Sequence, residues 1–158
     1  MNKVSNLKLA SILVGSTIVA NWLFKSIIND LIKGVMKTEA AISFTLGWGG
    51  FLISLIGIVL GVLYSKWYFS KKNYVIEDKD KVIRLAAILF AIVIFILNFI
   101  GTFLLTLVLN LETDIIGMII SVLIATAVFY LSSKKIIKNT EVRMNNVMSQ
   151  DNIGQTKI

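Results

Sequence analysis

The chain has 158 residues, of which 56% are hydrophobic and 16% charged, with a formal net charge of +7 and neither cysteine, histidine nor proline. So apolar a composition excludes an ordinary soluble domain. The missing cysteine excludes disulfides, thiolate metal sites and thiol nucleophiles, and the missing histidine removes the side chain that most often serves as general base or metal ligand near neutral pH.

Four apolar runs stand out, at about residues 7–24, 42–64, 82–109 and 115–131. Each has, or nearly has, the roughly 20 helical residues that cross a hydrocarbon core. None shows the two-residue alternation of a β-barrel strand. The expected fold is therefore an all-α integral membrane protein, a bundle of four transmembrane helices occupying residues 1–131, followed by a tail over 132–158. The bilayer itself is the first partner this implies.

The N-terminal segment carries Lys3, Lys8 and an apolar run with Ala20 as a conceivable cleavage position. Ile18 is bulkier than the small residue a signal peptidase prefers two positions earlier, so a retained first span is expected. Beyond Phe24, the stretch KSIINDLIKGVMK sets Ile27, Ile28, Leu31, Ile32, Val35 and Met36 on one half of a helical wheel, and Ser26, Asn29, Asp30, Lys33, Gly34 and Lys37 on the other. That pattern predicts an amphipathic interfacial helix over about 25–37. The alternative is that the first span simply continues, since no helix-breaking residue separates Phe24 from Lys25.

Within the second span, Gly47, Gly50, Ser54, Gly57 and Gly61 are spaced three, four, three and four residues apart, which gathers them into an arc of ~80° at ~100° per residue. Small residues let helix backbones approach closely in lipid, where the hydrophobic effect hardly drives association. A helix is expected in this groove, either from the same bundle or from another chain. Gly117, Ser121 and Ala125 form a weaker stripe on the fourth span, and Ser11 with Gly15 a shorter one on the first.

The segment between the second and third spans, SKWYFSKKNYVIEDKDKVIR, alternates aromatics with cations. Trp67, Tyr68 and Phe69 beside Lys66, Lys71 and Lys72 read as an interfacial aromatic belt with snorkelling lysines rather than as a nucleic-acid surface. Asp78 or Asp80 is placed to cap the third helix. That helix is too long for a perpendicular crossing, since about 25 residues at ~1.5 Å each span ~37 Å. It carries a polar series, Asn98, Thr102, Thr106 and Asn110, stepping by four: either interhelical hydrogen-bonding groups or the lining of a solute path. The link NLETD is short enough to make the third and fourth helices antiparallel neighbours, with Thr113 and Asp114 suited to the start of the fourth.

Lys and Arg are distributed thirteen to three between the two faces that four alternating spans define. The positive-inside bias then places both termini and the 65–84 segment in the cytoplasm, and the 25–41 segment outside. The richness in Ile, Lys and Asn is compatible with a bacterial cytoplasmic membrane.

No Asp, Glu or Lys lies deep in a span, no nucleophile stands with a base, and no phosphate-cradling, zinc or nucleotide motif occurs. The expected function is accordingly non-catalytic and cofactor-free: an accessory, regulatory or immunity-type membrane subunit that acts through helix–helix contacts with a membrane-protein partner or its own copies. The alternative is a small channel or solute transporter with its polar path along the third helix.

Overall fold

The computed structural model describes residues 5–37, 40, 48–72, 74, 76–109 and 115–138. They form four long helices, α1 (Asn6–Val35), α2 (Trp48–Lys71), α3 (Lys79–Leu109) and α4 (Ile115–Lys138), and among them there is no strand. All four are long and apolar enough to cross a membrane.

Local chemistry sets the described ends. Ser5 opens α1, its Oγ accepting from the Lys8 amide at 3.4 Å, and Met36 closes it in extended backbone while its amide still donates to the Ile32 carbonyl at 2.8 Å. Between these ends α1 runs for 30 residues without interruption. Residues 25–35 are thus the last third of the first helix rather than a separate one, because neither glycine nor proline falls between Trp22 and Gly34 to break the ladder. Asp78 caps α3, its Oδ1 accepting from the Lys81 amide at 3.0 Å. Asp80 instead faces the end of α4 and meets Lys138 at 3.1 Å. The second helix reaches Lys71 and the fourth Lys138, each seven residues beyond its apolar run, because Ser, Lys and aromatic residues continue a helix that has begun. Thr113 and Asp114 lie outside the described residues, as does the tail from 139.

The helices pair antiparallel in chain order. Ser16, Thr17 and Asn21 of α1 face Ser65, Gly61 and Gly57 of α2. Asp80 and Phe90 of α3 likewise face Lys138 and Phe129 of α4. The two hairpins then lie side by side, α1 against α3 and α2 against α4, while the backbones of α1 and α4, and of α2 and α3, sit on the diagonals and do not approach. The link after Lys71 therefore crosses the end of the bundle diagonally.

Packing is uneven along the axis. At the end that carries both described chain ends, Leu9, Leu13, Val62, Val82, Ile83, Ala86, Phe90 and Phe129 are all buried, with Phe69 and Ile137 completing the core. Phe90 and Phe129 stack face to face, with centroids 4.3 Å apart and planes 3° from parallel. Phe69 belongs to this core and not to an interfacial belt: it turns inward and packs with Tyr68 and Tyr74. Trp67 does face outward, beside Tyr64 and under the Lys71 ammonium at 4.9 Å. Toward the opposite end the core gives out, and residues 95–100 of α3 are exposed at every position.

Candidate functional site

The small-residue stripe of α2 meets α1 at Gly57 and Gly61. Gly50, Gly57 and Gly61 are buried, and Ser54, half-buried, donates its Oγ proton to the Gly50 carbonyl at 3.0 Å. Gly47 lies outside the described residues. A Cβ on Gly61 would stand 2.5 Å from Thr17 Cα and 2.9 Å from its carbonyl oxygen; one on Gly57 would run into the side chain of Asn21 and stand 3.0 Å from its Cα. At these two positions the backbones approach closely, and a methyl group has no room. One turn further, Ser65 extends the stripe, and its hydroxyl shares a hydrogen bond with that of Ser16 at 2.5 Å. On α1 the residues that meet the groove are Ser16, Thr17 and Asn21; Leu9, Ala10, Leu13 and Val14 are buried on the same helix. Ser11 and Gly15 are exposed and point away, with nothing within 4 Å of a Cβ on Gly15.

Among the described residues Asn98 makes no bond to a neighbouring helix. Its Nδ2 donates to the Ile94 carbonyl of its own helix at 2.8 Å, and the residue is exposed. Asn110 falls outside the described residues, as do the side chains of Thr102 and Thr106. Asn98 instead stands at the lip of a cavity of about 260 Å³ toward the less tightly packed end, reached by all four helices. Ser54 of α2 and Ser121 and Ala125 of α4 line the same space. Four residues singled out for helix packing or for a polar path thus converge there. Gly117 is half-buried on α4 and is not among the lining residues.

Two further polar residues line this cavity, Asn21 and Lys25, together with Trp22. They belong to a ladder that steps by four along α1: Thr17, Asn21, Lys25 and Asn29. Thr17 is buried and returns its proton to the Leu13 carbonyl at 2.7 Å. The Oδ1 atoms of Asn21 and Asn29 are buried and find no donor among the described residues. The four-residue spacing was available as a signal. It was hidden because its upper half falls in the amphipathic segment, where Asn29 reads as part of a solvated face. Below the cavity the packed half closes the space, with Leu13, Phe90 and Phe129 fully buried and Ile58 1% exposed.

Chemically, the cavity offers one cation, two amides and two hydroxyls on apolar walls. None of its lining residues is a carboxylate, and no group of three or more potential metal ligands occurs among the described residues.

Fold and site together define a class: an all-helical protein whose four described helices are each long and apolar enough to cross a membrane, as in a multi-pass membrane protein, with a cavity reached by all four. Compared with protein-family models, with curated proteins and with solved structures, the chain finds no match.

Proposed function

We propose that the chain works without catalysis in a cytoplasmic membrane, as an accessory, regulatory or immunity-type subunit that presents a helix face to a membrane partner. Both termini and the link after Lys71 lie on the cytoplasmic side, in keeping with the thirteen-to-three distribution of positive charge. Thirty residues of α1 measure ~45 Å, well beyond a hydrocarbon core of ~30 Å. Its last third, with Ile27, Leu31 and Val35 exposed, emerges on the outer side and rests at the headgroup level near Trp22 and Trp48.

The observation that carries this reading is the outer part of α3. Residues 95–100 are exposed at every position, and among them stands an amide, Asn98, whose one hydrogen bond among the described residues is to its own helix. In lipid an amide with spare hydrogen-bonding capacity is held poorly unless another polar group meets it. A second helix alongside Phe95 and Phe99, which stand about 60° and 100° round α3 from Asn98, would supply the packing and, at its edge toward Phe95, that group. Because Gly57 and Gly61 already face α1, the docking surface falls on α3 and not on the glycine stripe.

A photoreactive residue introduced at Phe99 should give, in native membranes, an adduct of defined mass with another polypeptide; adducts with lipid alone would overturn the docking reading. The channel or transporter alternative draws on the cavity. It requires the Phe90–Phe129 stack to part, and solute flux in proteoliposomes that changes with Asn98→Leu would favour it.

A further inference from the structure

We infer that the cavity is a binding site for an anionic amphiphile, its head held by Lys25 and Asn21 and its apolar part laid along Ile58 and Ile94. Lys25 is the sole ionisable side chain lining the cavity, it is half-buried, and among the described residues it pairs with no carboxylate. A half-exposed ammonium at the cavity, with no carboxylate against it among the described residues, is placed to pair with an anion that enters. Asn21 stands one turn further in. It also lines the cavity; its Oδ1 lies against Gly57, buried and without a donor among the described residues, and the same amide carries two N–H donors. Cation and amide donors together make an anion-binding pair.

The rest of the lining sets the shape of the ligand. From Lys25 to Ile18 is seven residues, ~10 Å along the helix axis, and over that distance the walls change from charged to apolar, ending on Ile58 and Ile94. The gradient runs in the same sense as that of a lipid in the outer leaflet. A volume near 260 Å³, just under the roughly 300–1,000 Å³ of small-molecule sites, admits one head and a short length of chain, not a whole phospholipid. The shared chemistry is an anionic head on an acyl chain, whose source is either a free long-chain carboxylate or an anionic phospholipid with one chain inserted. This inference rests on the bilayer setting but not on a docked partner.

The test uses the full chain with Trp48→Phe and Trp67→Phe, so that Trp22 is the only indole, in phosphatidylcholine nanodiscs. Titration with dibromostearate should quench Trp22 saturably. Lys25→Gln should raise the half-saturating fraction roughly tenfold or more, the size of a lost charge-assisted contact, and Leu55→Phe, which fills part of the cavity without altering charge, should also weaken binding. The methyl ester of the same chain should not saturate. Brominated phosphatidylglycerol in a parallel series assigns the source: saturation by it at lower fractions points to phospholipid, by the acid to the free carboxylate. Quenching that rises linearly and equally for acid, ester and Lys25→Gln would overturn the site. Because the nanodiscs hold one chain and no partner, a failed crosslink at Phe99 and a failed titration are separate outcomes.

Discussion

Replacing Gly61 by alanine perturbs a close approach between α1 and α2. The added methyl would stand 2.5 Å from Thr17 Cα, against the 3.4–4 Å of ordinary contact, so the two helices must part locally by about 1 Å. The atoms in the way are backbone and cannot rotate aside. A gap of that size forfeits about a quarter to a half of each dispersion contact it opens, and overpacking of this kind costs about 1–3 kcal/mol. The Ser16–Ser65 hydrogen bond, one turn away at 2.5 Å, would be stretched too, at about 0.6 kcal/mol for a typical bond in a membrane protein. The expected loss is about 2–3 kcal/mol. Gly15→Ala is the internal control: it adds the same methyl on the facing helix where nothing lies within 4 Å, and should change stability by less than about 1 kcal/mol, with the sign of better helix propensity. Reversible unfolding in mixed micelles of mild detergent and dodecyl sulfate, followed by circular dichroism, measures both. If Gly61→Ala falls within about 0.5 kcal/mol of Gly15→Ala, the close approach of the two backbones is not what holds the first hairpin.

Phe129→Ala empties one side of the buried stack with Phe90 and should cost about 3–5 kcal/mol in the same assay; less than about 1 kcal/mol would mean the packed half is not a core. Ser65→Ala removes the hydroxyl pair with Ser16 and should cost only about 0.6 kcal/mol, and no more than about 1.7. Since the chain has no cysteine, single cysteines at Lys72 and Lys33 report orientation cleanly. An impermeant maleimide applied to intact cells should label the second and not the first, and the reverse would invert the proposed topology.

How far the sequence discloses this molecule differs from element to element. Four helices are evident from the length of the apolar runs alone, each of them enough to cross a hydrocarbon core. Their ends were less so: Lys66, Lys71 and Lys134 are polar enough to end an apolar run, yet all three are good helix formers, and α2 and α4 pass straight through them. The spacing of Gly57 and Gly61 announced a close approach but not the identity of the approaching helix, since glycine shapes one side of a contact only. Thr17 and Asn21, which complete it, carry no such mark. Asn98 was recognisable as an unusual residue in an apolar helix, whereas its place at the lip of a cavity depends on where three other helices stop packing. The diagonal placement of α2 and α3 left no trace in composition or periodicity. It follows from which faces fit, and the short links permit either arrangement.

That diagonal has a consequence for how the molecule is made. Neither hairpin needs the other to satisfy its own tightest contacts, Gly61 on Thr17 in the first and Phe90 on Phe129 in the second. Each can therefore close its own contacts before the other is complete, and the two need meet only afterwards, sliding together like boards already planed.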